Sequence, residues 1–269
     1  MSETMRSDRI RQVIVAVTVL AAVVLAFVGS GAFGGTSIRD AAGGTFASDA
    51  TVVAPAGAAF GIWSVIYLGL FGYAIWQAFP GQAAKATHRS VGYGIAASSL
   101  LNAVWIACVQ ASRIAESTVI IVVLLGVLLI TFSRLRRRDR RGTIAEIVLI
   151  DGTIGLYLGW VTVATVANVA AWLASIGFDS WAEAPGWPGV IALFVAALFA
   201  VATGWSGGRW APAAATAWGL AWIAVERWTG APEAPAVAWT AVVLAVAVLA
   251  VSAWSFQRRI RRQKDASGN

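Results

Sequence analysis

Long apolar runs alternate with short polar connectors along the chain. The runs cover 13–33, 58–79, 91–110, 116–133, 144–174, 189–205, 211–228 and 236–256. Most approach the ~20 residues that a helix needs to cross a bilayer, so the pattern predicts eight transmembrane helices. The sixth run is at the short limit. The fifth is long enough to tilt or to extend beyond the membrane. Arg6, Arg9 and Arg11 precede the first run, as in a signal peptide. That run is long for a signal segment and no A-x-A-like site follows it, so it reads as a retained helix.

Composition agrees. Of 269 residues, 59% are hydrophobic and only 12% are charged. That balance belongs to a polytopic all-α membrane protein rather than to a soluble domain. The net charge of +7 would suggest nucleic acid in a soluble protein. Here the basic residues sit between apolar runs, where they set topology and attract anionic headgroups, so no nucleic-acid partner is expected. With the N-terminus in the cytoplasm, 17 of the 20 Lys and Arg fall inside, including "RLRRRDRR" (134–141) and "RRIRRQK" (258–264). Only Arg39, Arg113 and Arg227 fall outside, together with Asp40, Asp49, Glu116, Asp179, Glu183, Glu226 and Glu233. The expectation is a multi-pass protein of the cell membrane with both termini cytoplasmic.

The connectors divide the chain. A long outer loop at 34–57 opens with "GGTSIRDAAGG", and its glycines suggest a mobile lid. A second outer loop, 175–188, separates five helices from three. The expected domains are 1–175 and 176–257, followed by a basic cytoplasmic tail at 258–269. "YGIAASSLLNA" (93–103) is rich in small residues, which suit either internal packing or contact between two copies.

Few residues could support catalysis. The lone cysteine, Cys108, lies in an apolar run, so no disulfide and no cysteine metal site form within one chain. The lone histidine, His88, falls in a polar connector and reads as solvated. No paired carboxylates or metal-ligand clusters face one another in the runs. An enzyme is left with tryptophan or tyrosine photochemistry alone, so that class stays open while no catalytic residue, metal or cofactor is expected.

Tryptophan and asparagine carry the sharper signal. Seven of the 14 tryptophans lie at run ends, where an indole suits the headgroup zone. Others lie deeper and share a helical stripe with an amide. Phe60, Trp63 and Tyr67 follow i, i+3, i+7. Ser98, Asn102 and Trp105 follow i, i+4, i+7. Trp160, Ala164, Asn168 and Trp172 follow at intervals of four. Under the topology above, all three stripes lie toward the outer surface. Indoles offer stacking area and amides orient polar edges, as a flat, mostly apolar ligand requires. Asp151 is the one acid well inside a run, and an intramembrane carboxylate is a candidate coupling acid. At about 100° per residue it faces away from Trp160 and Asn168.

Three motifs recur together in a known family. "PAGAAFGIWSVIY" (55–67), "LNAVW" (101–105) and "WVTVATVAN" (160–168) resemble the TspO/MBR family, the tryptophan-rich sensory proteins related to the mitochondrial translocator protein. The likeness covers about 13–175. It implies a five-helix bundle, here followed by about three further transmembrane helices. It also implies homodimers and a pocket for hydrophobic ligands, notably porphyrins and other tetrapyrroles, and sterols in eukaryotic members. Matched motif by motif, the implied ligand-binding residues are Phe60, Trp63, Tyr67, Asn102, Trp105, Trp160, Ala164 and Asn168. The chain departs from the family pattern at Ile62, where a proline is common, and at "LYLGW", which lacks the usual Pro-Tyr.

Two functions follow as expectations. One is a membrane receptor or sensor that binds a flat hydrophobic ligand such as a tetrapyrrole and is coupled to its transport. The other is a secondary transporter of a small molecule that uses Asp151.

Overall fold

The computed structural model describes residues 3–29, 36–137, 142–178, 186–205 and 209–267. Eight long helices account for most of them, with no strand among the described residues. They are α1 (Glu3–Gly29), α2 (Ile62–Ala78), α3 (Ala86–Gln110), α4 (Ile114–Arg136), α5 (Ile144–Ser175), α6 (Trp187–Trp205), α7 (Trp210–Thr229) and α8 (Pro235–Ser267). Six are long and apolar enough to cross a membrane: α1, α2 with the turn before it, α3, α4, α5 and α8. The apolar part of α6 is shorter, and α7 dilutes its alanines with four tryptophans and a Glu-Arg pair. The protein is an all-α, multi-pass membrane protein.

Local chemistry sets several ends. A capping box starts α5: Thr143 Oγ1 accepts from the Glu146 amide at 3.3 Å, and Glu146 Oε2 accepts from the Thr143 amide at 2.9 Å. Gly177, at φ +92°, closes the same helix. The amides of Gly177 and Phe178 reach back to Ala174 and Leu173, as a Schellman cap does. Within α5, residues Ile147–Gly152 form a π-helical turn.

The helices sort into two compact units. The first comprises Met1–Phe46 and Gly61–Ile154. Here α1 packs on α2 and α3, α3 packs on α4, and α2 packs on the π-helical turn. The buried stripe of α1 (Val15, Val19, Ala22, Ala26, Gly29) recurs every three or four residues. Small residues allow close approach. A Cβ on Gly94 would collide with Thr131 of α4, and one on Gly69 with Thr153 of α5. Ala96, Ser98, Ser99 and Ala103 are buried as well, so much of the small-residue stretch at 93–103 serves packing inside the chain.

The second unit comprises Ala47–Phe60 and Gly155–Asn269. Its core joins Val52 and Val53 to Val163 and Ala170 of α5, Leu193 of α6, Leu220 and Ile223 of α7, and Val237 and Ala241 of α8. Gly155 and Gly159 of α5 lie against Ala211, Pro212 and Ala215 of α7, and Gly219 of α7 lies against Val163. The chain crosses between the units inside α5, whereas the loops in the sequence put the expected division at 175.

Two sequence expectations change. His88 is not a solvated connector residue. It lies on α3 with no exposed surface. Its Nδ1 meets the Tyr73 hydroxyl at 3.2 Å, its Nε2 meets Gln82 Oε1 at 3.2 Å, and the Trp76 ring stands edge-on to it at 4.9 Å. These partners replace water, so burial leaves the imidazole satisfied. The second half of the outer loop is not a free lid either. Thr51 to Ala56 are all buried, because "TVVAPA" offers apolar side chains to the second unit's core. Residues 30–35, at the start of that loop, lie outside the described residues.

Candidate functional site

In the first unit, α2 and α3 bring four of the candidate residues together. The rings of Trp63 and Tyr67 stack at 5.1 Å with 14° between planes. Trp63 also stacks on Trp105 of α3 at 6.5 Å and 29°. Asn102 Nδ2 donates to the Tyr67 hydroxyl at 2.8 Å. The i, i+3 or i, i+4 spacing on each helix is what lets these neighbours meet. Asn102 is 1% exposed and Trp105 5%. Asn102 Oδ1 and the Trp105 indole N–H are buried with no hydrogen-bond partner among the described residues. The cluster thus offers a stacked aromatic face, one open acceptor and one open donor. Unmet polar atoms in an apolar setting are costly unless a ligand or water answers them.

In the second unit, Phe60 meets Trp160 edge to face, with centroids 5.7 Å apart and planes at 75°. Trp160 and Asn168 are each 1% exposed. Ala164, between them on α5, is half-buried. Each unit therefore carries aromatic and amide groups of its own.

Asp151 falls in the π-helical turn of the first unit and is half-buried. Separately, an apolar groove of about 440 Å³ runs between α1 and α2, lined by Ala16, Leu20, Phe71, Ala74, Ile75 and neighbours. None of the candidate residues lines it.

A family model for TSPO-like protein matches residues 11–254. The chain belongs to the TSPO-like protein family. The match runs through α6, α7 and most of α8, so in this TSPO-like chain the C-terminal helices fall within the family region. Searches of curated proteins and of solved structures find no match.

Several polar residues of this TSPO-like protein were not singled out by their sequence pattern. Asp8 accepts from Arg89 Nε at 2.9 Å and Nη2 at 2.5 Å, and from Arg11 Nη1 at 2.8 Å. Arg11 also donates to the Ala83 carbonyl at 2.6 Å. The cluster pins α1 to the α2–α3 connection and to the start of α3. In the second unit Arg227, with no exposed surface, donates to the carbonyls of Ser48 at 2.5 Å and Pro232 at 2.9 Å. Trp218 Nε1 donates to the Ala59 carbonyl at 2.9 Å. Only Arg11–Asp8, an i, i+3 pair on α1, is visible in helical spacing; the other partners are backbone carbonyls or a carboxylate far along the chain.

Proposed function

We propose that this protein is a membrane receptor or sensor for a flat, largely apolar ligand of the tetrapyrrole class, coupled to that ligand's movement. The observation that carries this reading is the Trp63–Tyr67–Asn102–Trp105 cluster. Stacked rings suit a planar conjugated ligand, and the open acceptor and donor suit its pyrrole nitrogens or polar edge. Phe60, Trp160, Ala164 and Asn168 are proposed ligand-binding residues of the second unit. Family membership supports the sensor class. The proposed setting is the cell membrane with both termini cytoplasmic, and the proposed assembly is a homodimer.

Protoporphyrin IX added to the purified protein in detergent is expected to quench tryptophan emission saturably. Asn102→Ala is expected to weaken that binding roughly tenfold, in line with the ~1–3 kcal/mol of a buried polar contact. Trp63→Ala removes the central ring of the stack and is expected to weaken it at least as much. Unchanged affinity in both variants would rule out the assigned residues.

One observation favours a second reading. Asp151 sits in a π-helical turn, a local distortion that recurs at functional sites, and an intramembrane carboxylate suits ion or proton coupling. Under that reading, Asp151→Asn abolishes small-molecule uptake into proteoliposomes and leaves porphyrin quenching intact.

A further inference from the structure

The segment that leads into α2 is held along α7. Ser48 O accepts from Arg227 at 2.5 Å, Ala56 N donates to Trp222 O at 3.2 Å, and Ala59 O accepts from Trp218 Nε1 at 2.9 Å. As the numbers rise from 48 to 59, the partners fall from 227 to 218, so the segment runs antiparallel to α7. The last of these bonds lies in the 3₁₀ turn Gly57–Gly61, which Ala59 N also closes by donating to Ala56 O at 2.9 Å. Phe60 is the next residue. Its ring stands edge-on to Trp160, which is buried.

We propose that Trp218 is a positioning residue of the ligand site: its indole N–H fixes the Ala59 peptide and thereby the angle at which Phe60 meets Trp160. The inference rests on the ligand-binding reading above and deepens it. Nothing in the family motifs assigns Trp218 a part. Trp218 lies near the middle of α7, away from the helix ends where an indole N–H meets headgroups or water. Here the ring is 40% exposed, yet the N–H is spent on a backbone carbonyl whose own residue is fully buried. One turn further along, the Trp222 ring stands edge to face against that of Trp218 at 5.6 Å, a contact that a phenylalanine ring also makes. Trp222 contributes to the turn only through its backbone carbonyl, so the two indoles make separable contributions. A buried turn needs its polar groups paired, and an unpaired Ala59 carbonyl would leave the turn free to rotate Phe60 out of the edge-on position.

The test places 4-fluorophenylalanine at position 60 in the full chain and reads its fluorine resonance, which senses the Trp160 ring current. Trp218→Phe keeps an aromatic ring and deletes the N–H. Replacing Trp218 with benzothienylalanine, an indole isostere with sulfur in place of N–H, does the same at constant volume and guards against misfolding. Both are expected to shift and broaden the Phe60 signal and to weaken protoporphyrin IX binding about fivefold, the worth of one hydrogen bond. Trp222→Phe is expected to leave both readouts in place. An unmoved Phe60 signal in the isostere overturns the proposal, as does an equal response to Trp222→Phe. A moved signal with unchanged porphyrin affinity overturns the link between the turn and the ligand. If the wild-type protein binds no porphyrin, it is the ligand reading that fails, and the fluorine arm alone decides whether Trp218 sets Phe60.

Discussion

Tyr67 and Asn102 meet at 2.8 Å from two different helices, in a region where water does not compete for either group. Tyr67→Phe removes the acceptor and strands the Asn102 amide. Asn102→Leu removes the amide and leaves a hydroxyl that can turn to other partners. The two changes are therefore not additive. A double-mutant cycle on thermal unfolding in detergent is expected to give a coupling of roughly 0.5–2 kcal/mol, the range of interhelical hydrogen bonds in membranes. A coupling near zero would show that the pair adds no net stability. His88 teaches the complementary point. A polar residue in a polar stretch reads as solvated, yet Tyr73, Gln82 and Trp76 together supply what water would, and the imidazole is buried without loss.

The helices themselves were legible as elements. Eight apolar runs correspond to eight helices, six of them long and apolar enough to cross a membrane, because bilayer thickness and backbone satisfaction leave a membrane segment few alternatives. Phase within a helix was legible only where the helix is regular. On α2 and α3 the spacing of Trp63, Tyr67, Asn102 and Trp105 predicted shared faces, and their rings and amide do meet. On α5 the reading assumed 100° per residue, and the π-helical turn at Ile147–Gly152 winds more slowly. Asp151 lies near the end of that turn and Trp160 in the regular helix after it, so only the first step or two between them depart from 100°. The packing of α7 on α5 left a fainter trace. Gly155, Gly159 and Gly219 are spaced for close approach, but spacing alone does not say which helix each glycine meets, since Gly69 and Gly94 serve close approaches elsewhere. Gly159 is a sharp case, since a Cβ there would collide with the Pro212 carbonyl oxygen, and backbone cannot swing aside. Gly159→Ala is expected to cost about 1–3 kcal/mol and to lower the unfolding midpoint by several degrees. Gly126→Ala on α4, where nothing lies within 4 Å, is the matched control and is expected to leave the midpoint unchanged or raise it.

For the whole molecule, charge bias makes a statement that backbone geometry does not. The proposed cytoplasmic placement of those ends rests on the basic clusters at 134–141 and 258–264. In a Cys108→Ser background, Ala111→Cys marks the α3–α4 turn and Arg137→Cys the far end of α4. Both positions are exposed. A membrane-impermeant maleimide applied to intact cells is expected to label the first and to reach the second only after lysis. The opposite pattern would invert the topology. Division of the chain was the hardest feature to read. Loops suggested a boundary at 175, but compact units form from whatever packs together. One of them takes a piece of chain from before α2 and joins it to helices from the C-terminal half. The partners of that piece are Arg227, Trp222 and Trp218, and no local pattern links them to residues 48–59.

That long-range pairing orders the protein's birth. Ser48 and Ala59 wait for partners 179 and 159 residues further along the chain. At roughly 5–20 residues per second, the ribosome takes about ten to thirty-five seconds to supply them. Until then Val52 and Val53 have no core to enter, and the tryptophan motif of α2 has been inserted without the strap that sets its first aromatic ring. The motif is synthesised early and completed late, by a helix that lies outside the three motifs read from the sequence. Assembly of the second unit is thus a late step, since its core draws on both α7 and α8.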